Sequence, residues 1–101
     1  VVLAVAPYHL QNIQASVEDV IRTAGSQLRF FYAWQSARWM NQLPGHGPAD
    51  FHPWLKALEE VNYQGYVHPF MHGNSTPEKL TEGIAKAVHY LKDCRQRSTG
   101  E

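Results

Sequence analysis

Short runs rich in apolar residues alternate along this chain with segments in which apolar residues recur every three or four positions. Three such runs occur, at residues 1–5, 28–34 and 65–70; the first is continuously apolar and the second is rich in aromatic residues. Their length and their β-branched or aromatic content predict buried strands. Helical spacing follows each run, at residues 16–24, 50–61 and 76–94. The pattern predicts the order β-α-β-α-β-α, which is typical of parallel strands joined by helical crossovers.

Capping residues set the predicted helix boundaries. Ser16, with Asp19 three residues later, approximates a capping box at the start of the first helix. Gly25 is a typical stop for that helix. Asp50 is the predicted N-cap of the second helix, and Thr76, followed by proline, is that of the third.

The alternation runs through residues 1–101 without a linker, so a single segment is predicted, with a frayed polar tail at 95–101. Pro7 ends the first strand, and Tyr8, His9 and Leu10 are predicted to begin a loop. The chain opens at Val1 inside an apolar run, which favours a piece of a longer protein.

Three strand-helix units cannot close a barrel, which takes about eight of them. An open three-stranded parallel sheet would leave two unpaired edges. Its strands are apolar on both faces, whereas three helices cover mainly one face. We therefore expect either the remainder of a larger barrel or a homo-oligomer partner to cover the rest.

Composition excludes several function classes. Nine basic and nine acidic residues cancel, so no basic surface favours nucleic-acid binding. No apolar run approaches the roughly 20 residues of a membrane helix, and no signal-peptide pattern opens the chain. Cys94 is the single cysteine, which excludes an internal disulfide and a cysteine-based zinc site. A cytoplasmic location is predicted.

Three histidines, His9, His68 and His72, follow or lie near the ends of predicted strands. Since the carboxyl ends of parallel strands meet at one side of a sheet, we expect these histidines on a common rim. Converging imidazoles could bind Zn, Ni or Cu, which accept nitrogen ligands. The alternative is that they are loop histidines bonded to the backbone or to sugar hydroxyls.

Further candidates for ligand binding follow the second strand. The Arg38 guanidinium can bind two oxygens of a phosphate or carboxylate, or it can lie over Trp39 or pair with Asp50 at the surface. Trp34 could form an apolar wall against a sugar ring, or it could be an ordinary core residue. The predicted substrate-binding residues are Arg38, Trp34, Gln35, Phe70 and His72.

Four short motifs occur in a fixed order: PGHG at 44–47, DF at 50–51, WLKALEEV at 54–61 and YQG at 63–65. With these motifs, the chain from Val1 to about Cys94 resembles the sugar phosphate isomerase/epimerase family of xylose-isomerase-like barrels. The resemblance implies an α/β fold made of the C-terminal three units, β6-α6-β7-α7-β8-α8, of a (β/α)8 TIM barrel. It implies a fragment or a partial barrel.

Active members of that family bind one divalent cation, usually Mn, Mg, Co or Zn, through carboxylates and a histidine, and two glutamates move protons beside a carbonyl. His9 matches the histidine of the strand-six pattern, and Arg38 matches an arginine after strand seven. Ala6, Tyr32 and His68 stand where the resemblance implies an aspartate, a histidine and a glutamate. The resemblance therefore supports the fold more strongly than a metal-dependent activity.

The predicted function is that of an isomerase/epimerase-like protein that acts on, or binds, a small keto-sugar or sugar phosphate. Proton transfer beside the carbonyl would use His9 and His68 as catalytic groups, and the same two histidines are the candidate metal ligands. One alternative is a non-catalytic sugar-binding member with a degenerate metal site. The other is an isolated partial barrel that assembles by edge pairing.

Overall fold

Three short parallel strands form the sheet of this computed structural model, which describes residues 2–73 and 75–99. The strands lie in the order β1-β2-β3, with β2 in the centre. They comprise β1 (Leu3–Val5), β2 (Leu28–Ala33) and β3 (Val67–Pro69). Both strand pairs are parallel, as the sequence predicted. Val1 and Asn74, which belong to a predicted strand and a predicted cap region, lie outside the described residues.

Helices separate the strands in the predicted order, with one addition. The helices are α1 (Pro7–Asn12), α2 (Val17–Ala24), α3 (His52–Glu60) and α4 (Pro77–Thr99). The addition is α1, because the residues after Pro7 were predicted to begin a loop. Proline favours the first helical position, where its fixed φ suits the helix and its missing N–H costs nothing. The same residue that ends β1 therefore begins a helix.

The predicted caps are found at two of the three helices. The Asp19 N–H donates to the Ser16 hydroxyl at 3.3 Å, and the Lys79 N–H donates to the Thr76 hydroxyl at 3.3 Å. Helix α3 begins one residue later than predicted, with Phe51 at its N-cap. The Asp50 carboxylate accepts a hydrogen bond from the His52 N–H at 3.0 Å, so it still satisfies one of the first free N–H groups.

Helix α4 is longer than predicted. It continues past Cys94 to Thr99, whereas Gly100 and Glu101 lie outside the described residues, and fraying of the 95–101 tail stays a prediction. Two apolar residues of this helix lie outside the core, since Ile84 is 39% exposed and Val88 is 37% exposed. Within the described part of the chain, no helix is long and apolar enough to cross a membrane.

The hydrophobic core lies between one face of the sheet and helices α2, α3 and α4. Phe31 and Ala33 of β2 point to this face and are fully buried. They pack in one cluster with residues of all three helices, among them Ile21, Leu58 and Cys94. Cys94 is fully buried in this cluster. Because successive strand residues point to opposite faces, Phe30 and Tyr32 of β2 point away from the core.

The opposite face of the sheet carries large side chains that the described helices leave uncovered. Phe30 pairs with Ala4 across β1 and β2, and Tyr32 pairs with His68 across β2 and β3. Phe30 is 45% exposed, in contrast to its buried neighbour Phe31. The prediction that the helices cover mainly one face of an apolar sheet is therefore confirmed for residues 2–73 and 75–99.

The segment from 34 to 49 is a long loop held to the end of β2 by one buried side chain. The Gln35 amide donates to the Leu43 carbonyl at 2.7 Å and accepts from the Ala49 N–H at 2.8 Å. Gly47 packs against this amide so closely that an added Cβ would lie 2.4 Å from the Asn41 carbonyl oxygen and 2.7 Å from the Gln35 amide. The loop therefore depends on a glycine at that position for steric reasons.

We expect Gly47→Ala to destabilise the fold by about 1–3 kcal/mol, since the new methyl group must displace backbone or the buried amide. Urea unfolding followed by circular dichroism measures the change. Gly25→Ala serves as the comparison, because its added Cβ meets no atom within 4 Å and only the backbone φ of 52° opposes it. A Gly47→Ala stability equal to wild type would contradict the close packing of this loop.

Tyr90 of α4 ties that helix to the start of α3. Its hydroxyl accepts a hydrogen bond from the Phe51 N–H at 3.0 Å and lies 3.4 Å from the Ala49 carbonyl, to which it donates. Burial is the main cause that raises the pKa of Tyr90 to about 12. The folded protein therefore retains the phenol proton at a pH at which the unfolded chain has lost it.

We expect Tyr90→Phe to lower the free energy of unfolding by about 1 kcal/mol near pH 7, through loss of a hydrogen bond. The raised pKa adds stability that is complete below pH 10 and is lost as the pH rises from 10 towards 12. Urea titrations over that window should show a steeper loss for wild type than for Tyr90→Phe. Tyr66→Phe, at an 82% exposed position, is the matched control.

Candidate functional site

An open cavity of about 500 Å³ lies beside the carboxyl ends of the strands, on the sheet face that the helices leave uncovered. Its walls come from β1 and the turn after it, from α1 and α2, and from the ends of β2 and β3. The lining residues that carry polar or aromatic groups are His9, Tyr32, Trp34 and Phe70. Such a position is where parallel α/β folds bind their ligands.

Trp34, the first residue after β2, is the centre of an aromatic cluster. Its ring lies 4.7 Å from the Phe70 ring and 5.0 Å from the His9 imidazole, measured between centroids. The Tyr8 ring stacks on Trp34 at 4.2 Å, with the two planes 12° apart. One face of the indole is therefore covered by Tyr8, the His72 ring lies nearly parallel to it at 5.8 Å, and other atoms of the side chain line the cavity.

Tyr8 and His9 reach this cluster because α1 begins immediately after β1. The helix turns the chain at Pro7, which places both rings over the end of β2. His9 was among the predicted site residues, whereas Tyr8 was not. The signal for Tyr8 was an aromatic residue at a strand end, between Pro7 and His9. Because a loop was expected after Pro7, no contact of Tyr8 with the next strand was predicted.

A second, smaller cavity of about 360 Å³ adjoins the cluster. It is lined by Tyr8, Arg38, Trp39, Gln42 and His72. Arg38 is exposed and makes no ion pair with the Asp and Glu residues of the described chain, which leaves its guanidinium available to an anion. Trp39 packs against Gly73, where an added Cβ would lie 2.4 Å from the indole ring.

Gln42 lines the smaller cavity and bonds Trp34, which lines the larger one. It was not among the predicted site residues. Its side-chain oxygen accepts from the Trp34 indole N–H at 2.6 Å and from the His72 N–H at 2.9 Å. Its side-chain nitrogen donates to the His72 carbonyl at 2.7 Å. No local sequence pattern marks a glutamine for such a role, since its partners lie 8 and 30 residues away.

The predicted site residues fall into three groups, which are those that border the two cavities, Gln35 in the loop, and His68. His9, Phe70 and His72 surround Trp34, with the His72 imidazole 5.8 Å from the Trp34 ring and 5.9 Å from Phe70. Arg38 lies in the adjoining cavity. Gln35 lines neither cavity, and its amide serves the loop, so its contact with a substrate stays a prediction.

His68 forms the third group, farther from the strand ends. It pairs with Tyr32, at 5.6 Å between ring centroids, and it also neighbours Phe30 and Tyr66. It lines neither of the two cavities, in contrast to His9. A catalytic role for His9 or His68 stays a prediction.

The donor set in the described residues does not fit the divalent cation implied by the resemblance. Within residues 2–73 and 75–99, no group of three or more His, Cys, Asp or Glu side chains is placed to hold a metal. Ala6 has no donor atom, and the neutral Tyr32 phenol is a poor ligand for hard cations, which prefer carboxylates. Metal binding by His9 and His68 stays a prediction.

The chain is similar in structure to part of a known protein. No family model and no curated protein sequence matches the chain. Among solved structures, it is similar to a crystal structure of D-psicose 3-epimerase in the presence of D-fructose, with 27% sequence identity and a TM-score of 0.59. The similarity covers 96% of this chain and 36% of that one, so the chain spans about a third of that structure. The chain has the fold of part of a TIM barrel, of the kind found in a sugar epimerase.

Proposed function

We propose that this chain supplies a substrate-binding wall of a sugar isomerase/epimerase-like barrel, and that its ligand is a small keto-sugar or a sugar phosphate. The observation that carries the proposal is the aromatic cavity at the strand ends, with His9 in its wall and Arg38 in the adjoining cavity. The similarity to a sugar epimerase in fold supports the same ligand class.

The two cavities suit the two kinds of surface that such ligands present. The rings of Trp34 and Phe70 offer an apolar wall for the C–H groups of a sugar. Arg38 offers five N–H donors, which can bind two oxygens of a phosphate, or the hydroxyls of a neutral sugar. A ligand would therefore place its carbon skeleton in the larger cavity and its most polar end towards Arg38.

His9 contributes an imidazole to the wall of the larger cavity. An imidazole nitrogen can remove the proton from the carbon beside the carbonyl, leaving an enediolate, and the imidazolium can return it. Return to the neighbouring carbon gives an isomer, and return to the opposite face gives an epimer. His68 is the second candidate base. It lies farther than His9 from the carboxyl ends of the strands, beside Tyr32, so a ligand would have to extend past Tyr32 and Phe70 to reach it.

A non-catalytic, sugar-binding function is the second candidate. None of the described residues lining the two cavities is an aspartate or a glutamate, which removes the usual carboxylate base from this part of the site. The cavities would still bind a sugar through Trp34, Phe70 and Arg38. The two candidates differ in turnover and not in ligand class.

The remainder of a barrel is the proposed cover for the open sheet face. Phe30, Tyr32 and His68 lie on that face, where a closed barrel packs its interior side chains. The similarity to about a third of a TIM-barrel protein supports this proposal over pairing between copies of the chain.

We expect Arg38→Ala to weaken binding of fructose 6-phosphate by roughly tenfold to a hundredfold, the usual effect of losing a charge-assisted hydrogen bond. Binding of D-fructose should change much less. Isothermal titration calorimetry of both ligands measures the difference. Lys86→Ala on the exposed surface of α4 removes the same charge away from the cavities and should leave both affinities unchanged. Equal losses for the two sugars would contradict an anion-binding role.

We expect the purified protein in D₂O to exchange deuterium into the carbon beside the carbonyl of D-fructose if His9 transfers a proton. His9→Gln should then abolish exchange, since an amide has no basic nitrogen, while sugar affinity stays within a few-fold. Proton NMR of the sugar detects the exchange, and His89→Gln on α4 is the control. Sugar binding without exchange in wild type would establish the second candidate and exclude the first.

A further inference from the structure

Gln42 is a buried polar side chain that local secondary structure does not explain. It lies at the end of a short 3₁₀ turn, Trp39–Gln42, and is only 5% exposed. A buried amide is unfavourable unless its donors and acceptor are hydrogen-bonded, and the side-chain oxygen here accepts two bonds while the nitrogen donates one. These three hydrogen bonds offset the cost of burying the Gln42 amide.

These bonds extend the sheet past the point at which its backbone pairing stops. A bond from the Phe70 N–H to the Ala33 carbonyl, at 3.2 Å, continues the link between β2 and β3 one residue beyond the strands. For His72, two residues farther, the Gln42 amide accepts from the N–H and donates to the carbonyl, as a neighbouring strand would. The Gln42 carbonyl also accepts from the Gln35 N–H at 3.0 Å.

The same amide oxygen holds the indole of Trp34. Tyr8 stacks on one face of that ring and the indole N–H donates to Gln42, so two different contacts hold the ring. Gln42 also lines the cavity that contains Arg38 and His72. One side chain thus orients a wall of the larger cavity and forms a wall of the smaller one.

We infer that Gln42 is the positioning residue of the site, which sets the orientation of Trp34 and the location of His72 relative to Arg38. It acts through these residues and not on a reacting atom. The inference rests on the proposed function in one respect, that the two cavities bind parts of one sugar ligand. Its consequence is selectivity, because Gln42 then determines the spacing between the sugar wall and the anion-binding group.

The first test follows the Trp34 indole directly and needs no ligand. In ¹H–¹⁵N NMR spectra, the Trp34 indole resonance, assigned by its loss in Trp34→Phe, should be protected from hydrogen exchange. In Gln42→Leu, the same proton should exchange about tenfold faster or more, as its acceptor is gone. Gln64→Leu is the control, because it removes an exposed glutamine amide that bonds Asn62 and lies outside both cavities.

The second test uses Gln42→Glu, which keeps the oxygen acceptors if the leucine variant fails to fold. An ionised carboxylate would face the His72 carbonyl without a proton to donate, whereas the protonated acid restores that donor. Both forms of the side chain can accept from the Trp34 indole N–H, so the protection of that proton should persist in Gln42→Glu at every pH. The sugar affinity of Gln42→Glu relative to that of wild type should rise as the pH falls, because the donor to the His72 carbonyl returns. A purely structural defect would not recover with pH.

The ligand arm measures selectivity. We expect Gln42→Leu to weaken binding of D-fructose by about tenfold and that of fructose 6-phosphate by more, which narrows the ratio of the two affinities, whereas Gln64→Leu leaves both affinities unchanged. Unprotected indole in wild type, or unchanged protection in Gln42→Leu, would overturn the positioning role. Wild type that binds neither sugar, with the indole results as expected, would refute the proposed function and leave the Gln42 contacts established.

Discussion

A parallel sheet must be covered on both faces, because its strands are apolar on both, and this constraint organises the whole chain. Helices α2, α3 and α4 cover one face and bury Phe31 and Ala33 there. The alternation of the strand then directs Phe30 and Tyr32 to the other face, where described helices do not reach them. That second face is aromatic, half-exposed and continuous with the cavity at the strand ends, and it is where a barrel would close.

The geometry of the site follows from short-range turns placed on that sheet. Helix α1 starts at Pro7, directly after β1, and so brings Tyr8 and His9 over the end of β2. The long loop after β2 returns to the same place, held by two buried glutamines with separate partners. Gln35 holds the loop itself, and Gln42 holds the indole of Trp34 and the backbone after β3. Side-chain amides thus connect the sheet to the loop and rings around the cavities, beyond the point at which backbone pairing ends.

The fold of this chain is similar to part of the epimerase structure, whereas the described side chains do not supply a metal site of the kind that the resemblance implies. Two-thirds of a barrel protein lies outside the 36% of that structure to which the chain corresponds. Within the corresponding part, Ala6 and Tyr32 offer nothing to a hard cation, and the described residues that line the cavities include histidines and an arginine but no carboxylate. A wall of this composition suits the proposed role of holding a sugar, and in the proposed proton transfer the base would be His9.

The sequence by itself determined the order of strands and helices, the caps at Ser16 and Thr76, the parallel sheet and the rim that carries His9, Trp34 and Phe70. Those features depend on local periodicity and on residues within one turn of each other, which a single sequence displays. Only the tertiary structure decided that Gln42 binds Trp34 and His72, that Tyr8 covers the indole, and that His68 lies apart from the cavity of His9. These contacts join residues 8 to 30 positions apart or separate strands, and their partners are chosen by packing and by the need to satisfy buried polar groups, which no local pattern records.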